Sequence, residues 1–144
     1  MATPLQIVFD ASDPARLADF WIEAIGYVIP PPPEGFESWD DWAVAVGIPE
    51  ESWNDARAIE DPAGAGPRIF IQRVPEPKTA KNRLHLDLGI TGGGKVPLDE
   101  RKRLVDAEVE RLTAAGATTV GPFEQRSEYW VIMQDPEGNE FCVH

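Results

Sequence analysis

The chain is poor in the residues that build covalent staples or histidine-rich sites. It has one cysteine, Cys142, so an internal disulfide is impossible and a reducing compartment suits it. It has two histidines, His85 and His144, which excludes a site of three histidine ligands. Cations are scarce: 13 Lys and Arg stand against 25 Asp and Glu in 144 residues, a net charge of −12. That balance argues against a phosphate-backbone binder, which needs clustered Lys and Arg, and against docking on anionic membrane. Neither nucleic acid nor membrane is therefore an expected partner. No apolar run approaches the roughly 18 residues of a membrane span. Met-Ala-Thr-Pro leads directly into an alternating segment, without the basic and apolar regions of a signal peptide, so a cytoplasmic setting is expected. Nucleophile and phosphate motifs are missing too. There is no Gly-x-Ser-x-Gly elbow and no Cys-x-x-Cys pair, and Gly92-Gly93-Gly94 lacks the Lys-Ser/Thr end of a phosphate loop.

What is present suffices for a core: hydrophobic residues make up 42% of a chain long enough to bury one domain. Residues 5–10 alternate, with Leu5, Ile7 and Phe9 on one face and Gln6, Val8 and Asp10 on the other, as in a half-buried strand. Asp13-Pro14 then reads as the cap and first position of a helix whose apolar stripe is Leu17, Phe20, Trp21, Ala24 and Ile25, with Gly26 as its stop. Four prolines at 30–33 force a stiff extended connector. Ser38 with Asp40 and Asp41 predicts a helix running to about Val46, and residues 49–53 a further helical turn. Strands are expected at 56–60 and 68–74, on either side of the turn Asp61-Pro62-Ala63-Gly64.

The second half follows the same order. Residues 83–90 alternate, Leu84, Leu86 and Leu88 against His85, Asp87 and Gly89. A long helix is expected over 97–115, with Leu98, Val105, Val109 and Leu112 inward and Arg101-Lys102-Arg103 as a solvated surface patch. Short strands are expected at 118–120, 128–134 and 140–143, the last two joined by Asp135-Pro136-Glu137-Gly138. Strand, helix and strands ending across Asp-Pro-x-Gly thus occur twice. Each half alone would expose one apolar sheet face. The expected fold is α+β: two paired βαβββ modules, 1–77 and 78–144 of a single domain, forming a curved sheet or barrel around a cavity, with a short helical insert in module one.

Three stretches resemble the glyoxalase/bleomycin-resistance/dioxygenase (vicinal oxygen chelate) superfamily: residues 6–13 (Gln-Ile-Val-Phe-Asp-Ala-Ser-Asp), 82–88 (Asn-Arg-Leu-His-Leu-Asp-Leu) and 135–141 (Asp-Pro-Glu-Gly-Asn-Glu-Phe). Residues 67–76 together with 81–87 are similar to a glyoxalase-like subgroup common in actinobacteria. The resemblance implies four cavity-facing metal positions in metal-using members, one on the first and one on the last strand of each module. Carried over, these fall on Gln6, His85, Cys142 and either Phe70 or Gln72. A hard divalent ion wants carboxylates that none of these supplies, so no tightly held metal is expected; any ion present would be held by Gln6, His85 and Cys142. As a zinc set, one His, one Cys and amide oxygens would be unusual.

The implied function is binding or converting a small organic molecule in the cavity between the modules. Two alternatives stay open: a metal-dependent lyase or dioxygenase of the same superfamily, and a non-catalytic drug-sequestering protein. A homodimer is a further implied state. For catalysis, His85 is the candidate acid or base and Asp87 the residue that orients it. Gln6, Gln72, Phe70 and Cys142 line the expected cavity, although a cysteine there is more often a small buried hydrophobe than a nucleophile. Trp39 and Trp42 are candidates for an aromatic lid, against the plainer reading that they and Trp53 pack the insert. His85, Asp87 and His144 also imitate a 2-His-1-carboxylate iron triad. Against that stand the terminal position of His144, expected to fray, and the helices of the repeated modules.

Overall fold

A parallel strand pair cannot be closed by a hairpin and needs a crossover, and each half of this chain supplies one with its helix. In the computed structural model, which describes residues 2–144, the chain divides into two units, one ending at Pro77 and the other beginning at Lys78. In the first unit, strand β1 (Gln6–Ala11) lies parallel to β3 (Arg68–Arg73), which pairs antiparallel with β2 (Ala56–Ile59). The crossover is helix α1 (Pro14–Ile25), followed by α2 (Trp39–Val46) and a 3-10 turn, Glu50–Ser52. Val28 and Glu60 exchange both backbone hydrogen bonds as an isolated antiparallel bridge, so the module's fourth strand is reduced to one residue. The cause is local: the prolines at 30–33 carry no N–H with which to extend a ladder.

The end signals read from the sequence work as expected. The Asp13 carboxylate accepts from Arg16 N, the Ser38 hydroxyl accepts from Asp41 N, and Gly26 and Gly47 end their helices at φ of 73° and 78°. Alternation on β1 buries Ala11 and half-buries Ile7 and Phe9, while Gln6, Val8 and Asp10 face outward. The helix-covered face forms the core: Leu17, Trp21, Ile59, Ile69 and Ile71 are at most 1% exposed, and Phe9 stacks on Trp21 at 5.5 Å.

In the second unit, β4 (Asp87–Leu88) lies parallel to β7 (Glu140–Val143), followed across the sheet by β6 (Glu128–Gln134) and β5 (Thr118–Gln125). Helix α3 (Leu98–Ala114) is the crossover and covers the face carrying Val131, Met133, Phe141 and Val143. Both units are thus βαβββ-like modules with mixed sheets, an α+β fold.

Three expectations need correction. The strand expected at 83–90 is only two residues long, and Leu84 is 74% exposed rather than inward. Its sole partner is β7, which begins only after the Asp135 turn, so the chain upstream finds no straight edge; backbone bonds join Leu86, Leu88 and Ile90 to Cys142 and His144. The strand expected at 118–120 runs eight residues. Pro122 hides it in the sequence but is tolerated because β5 is the sheet edge.

The third correction concerns the basic run on α3. Arg101 is buried, on the same helix stripe as Val105 and Leu112. It donates through Nε to Val96 O, through Nη1 to Glu128 Oε2 at 2.8 Å and through Nη2 to Ser127 O at 2.8 Å. The last two bonds hold the β5–β6 hairpin turn, where Arg126 and Ser127 adopt φ of 52° and 64° without being glycine. Two left-handed residues of this kind cost about 1–3 kcal/mol each, which the Arg101 clamp helps offset. Only Lys102 and Arg103 remain at the surface, paired with Glu124 and Glu100.

Arg101→Ala is accordingly expected to destabilise the protein by about 1–3 kcal/mol for the lost buried hydrogen bonds. Arg103→Ala should stay within about 0.5 kcal/mol of wild type, as a surface change does. Urea unfolding of the two variants measures the difference.

A second prediction follows from Glu140, which ties the 78–82 segment to β7. Burial by itself would raise its carboxyl. The Asn82 and Glu140 N–H groups, Lys78 and Gln134 outweigh that and hold it down at about 2, against an ordinary 4.5. A depressed carboxyl contributes stability that is present above its ordinary value and lost as pH falls through the folded one. Thermal unfolding should show stability dropping from pH 4.5 toward about 2, with a shallower drop in Glu140→Gln.

Candidate functional site

Period-two alternation sends every second residue of each strand to the face that α3 leaves uncovered. On β4 and the residues just before it these are His85 and Asp87; on β7, Cys142 and the adjoining His144; on β6, Glu128, Trp130 and Ile132. Asp87 and Cys142 are direct partners in the parallel ladder, which brings the three polar groups together. His85 Nδ1 lies 3.0 Å from Asp87 Oδ1, and the Cys142 thiol also hydrogen-bonds Asp87. One ligating atom from each of His85, Asp87 and Cys142 lies within 4.8 Å of the other two.

An open concavity of about 340 Å³ sits over this cluster, lined by His85, Asp87, Glu128, Tyr129, Trp130, Cys142 and His144. Beside it, Trp130 stacks on its cross-strand partner Phe123, with centroids 5.8 Å apart and planes 15° apart. The sequence reading passed over Trp130 and Phe123. The alternation of 128–134 carried the signal for Trp130, whereas Phe123 was hidden by the proline in its strand. His144 does not fray: its N–H donates to Leu88 O, and its carbonyl accepts from Ile90 N. Its ring lies opposite Gly89, where even an added Cβ would stand 3.7 Å away, in ordinary van der Waals contact. His144 lines the concavity, but the metal-sized cluster among the described residues is completed by Cys142 instead, which disfavours the iron-triad reading.

The other candidate residues belong to the first unit. Gln6 and Gln72 lie on its helix-free face, each already bonded: Gln6 Oε1 accepts from Arg68 Nη1 at 2.6 Å, and Gln72 Nε2 donates to Asp10 Oδ1 at 2.8 Å. Phe70, between Arg68 and Gln72 on the same face of β3, carries the Arg68 guanidinium over its ring at 5.6 Å. Trp39 donates from Nε1 to Pro30 O at 2.7 Å and meets Trp42 edge-on at 5.5 Å, while Trp53 donates to Ile48 O. These contacts tie the proline connector and the insert together.

Burial pushes the Cys142 thiol up to about 11, helped by the neighbouring Asp87 charge and by the hydrogen bond to it. At neutral pH Cys142 is therefore a hydrogen-bond donor, not a thiolate nucleophile. The donor set also fails a hard ion such as manganese, which wants several oxygen ligands: the cluster holds one carboxylate, and the Gln6 oxygen is committed to Arg68. In the metal-free protein, alkylation of Cys142 by iodoacetamide should stay slow at pH 8 and accelerate as pH approaches about 11, as followed by mass spectrometry.

Similar structures agree on the fold. A glyoxalase/bleomycin resistance protein/dioxygenase family enzyme from Burkholderia phytofirmans is 17% identical, with a TM-score of 0.62 over 96% of this chain and 94% of that one. A fosfomycin resistance protein from Listeria monocytogenes, in complex with manganese(II) and a dihydroxypropylphosphonic acid, is 15% identical, with a TM-score of 0.62 over 100% and 90%. A possible glyoxalase from Bacillus cereus is 14% identical, with a TM-score of 0.61 over 99% and 98%. Comparison with curated proteins gives no significant match. No helix among the described residues is long and apolar enough to cross a membrane. The model of the glyoxalase-like domain matches residues 6–144, nearly the whole chain, and the protein belongs to that family.

Proposed function

We propose that the helix-free face of the second module binds a small organic molecule, with Trp130 as its flat wall and His85 as its polar anchor. The observation that carries this reading is the placement of a stacked aromatic pair and a His–Asp–Cys cluster beside one open concavity. Its volume, about 340 Å³, falls at the small end of the roughly 300–1,000 Å³ typical of ligand sites. Asp87 engages Nδ1 of His85, so Nε2 is the nitrogen offered to a ligand or to a transferred proton. The lining holds two carboxylates, Asp87 and Glu128, the second already paired with Arg101, and no lysine or arginine. A neutral or cationic planar compound suits such walls; an anion like the phosphonic acid held by the Listeria protein does not.

Calorimetric titration of chelator-treated protein with a panel of neutral, cationic and phosphonate compounds tests this. His85→Ala and Trp130→Ala should each weaken the binding of a planar ligand at least tenfold, about 1.4 kcal/mol. Recovery of the compound unchanged would identify sequestration, and recovery of a product would identify catalysis. The proposal fails if only the phosphonates bind, or if both variants match wild type across the panel.

A further inference from the structure

We propose that the helical insert of the first module is a docking surface for a basic amphipathic helix of another protein. Of its eight residues, α2 buries only Ala43. Its larger apolar side chains form a strip that stays open. Trp39, Trp42 and Val46 recur at i, i+3 and i+7, which puts them on one helical stripe, and the two indoles touch edge-on. Trp39 joins this strip to the connector through its bond to Pro30 O, and Ile29 stands next to Pro30. Ile29 is 52% exposed, Trp39 38% and Val46 53%. Single exposed apolar residues are ordinary, but adjoining ones form the kind of patch that marks an interaction site.

Charge selects the occupant. Residues 17–56 carry nine Asp and Glu and no Lys or Arg, so they account for nine of the chain's 12 surplus negative charges. Six of these acids, Glu34, Glu37, Asp40, Asp41, Glu50 and Glu51, flank the strip in the chain, and all six are exposed. Among the described residues none of the six forms an ion pair with a Lys or Arg. The second module differs: Glu100, Glu108, Glu124, Glu128 and Glu140 each meet a cation. An uncompensated acidic rim around an apolar strip complements a helix with one apolar face and Lys or Arg on either side of it. The two indoles supply flat apolar area and ring faces that attract cations. A second copy of this chain does not fit. It would bring the same acidic rim, and its one run of adjacent cations, residues 101–103, is already paired with Glu128, Glu124 and Glu100. The surface belongs to the first module and is independent of the ligand face proposed on the second.

The test titrates the full chain, by fluorescence anisotropy, with a labelled lysine–leucine peptide of about 18 residues, long enough to be helical, whose leucines share one face. The controls are a peptide of the same composition with its leucines scattered and a glutamate–leucine counterpart. The amphipathic basic peptide should bind at least tenfold more tightly than the scattered one, and the glutamate peptide should not bind. Its affinity should fall at least fivefold as salt rises from about 0.01 M to about 0.1 M and the screening length drops from about 30 Å to about 10 Å. Ile29→Ser with Val46→Ser should weaken it at least tenfold. Glu37→Gln with Glu50→Gln should weaken it at least threefold, whereas the same charge change on α3, Asp99→Asn with Glu110→Gln, should leave it unchanged. Each variant is checked for native circular dichroism. The inference is overturned if the scattered peptide binds as well as the amphipathic one, if the Ile29/Val46 variant matches wild type, or if the α3 variant loses as much as the insert variant. A concentration-dependent dimer in sedimentation that the Ile29/Val46 variant abolishes would also overturn it, by assigning the strip to a second copy.

Discussion

The arrangement rests on the parallel pairing of each module's first strand with its last: β1 with β3, and β4 with β7. Parallel neighbours need a crossover, and the crossover helix must lie on one face of the sheet it spans. That single constraint divides every strand into a buried set and an open set of residues. It also makes the first and last strands neighbours, so that residues far apart in the chain become cross-strand partners. Gln6 meets Arg68, Asp10 meets Gln72, and Asp87 meets Cys142 for this one reason.

Stability and chemistry are thereby assigned to opposite faces. The helix side of the second module holds Val105, Leu112, Val131, Met133, Phe141 and Val143 in a fully apolar core, interrupted by one cation, Arg101. Arg101 is tolerated because its donors are met by two carbonyls and a carboxylate. Its effect reaches the open face. By holding the Arg126–Ser127 turn it keeps β5 and β6 in register, and that register sets Phe123 opposite Trp130. A slip of one residue would turn both rings to the other side of the sheet. The buried Arg101 side chain, reaching from the helix side to the exposed Glu128, thus supports the aromatic wall on the open side.

The electrostatics of the open face turn on Asp87. The carboxylate accepts from two neighbours and thereby organises both: it presents His85 by Nε2, and it adds to the burial that keeps the Cys142 thiol protonated. The chain's acidic surplus does not converge there. Glu100 and Glu108 are spent on pairs along α3, and Glu140 on Lys78 and Asn82. The polar donors on the first module's open face are bonded to each other, which leaves Gln6 and Gln72 with less freedom than their sequence positions suggested.

Local signals were legible from the start because their causes are local. Asp13-Pro14, Ser38, Gly26 and Gly47 mark helix ends through backbone geometry that neighbours determine, and the repeated order of strand, helix and Asp-Pro-x-Gly exposed the two modules. The alternation of 83–90 placed His85 and Asp87 on one face correctly even though the strand there proved short. Where partners decide, the sequence was silent. Leu84 has an inward pattern but no strand to pair with; Pro122 reads as a break but lies on an edge; Arg101 reads as surface but finds its acceptors on a distant hairpin. By itself the sequence determined which residues could share a face, because side-chain period is a property of the backbone. Only the tertiary structure decided which of them meet, because pairing partners and burial depend on strands contributed from elsewhere in the chain.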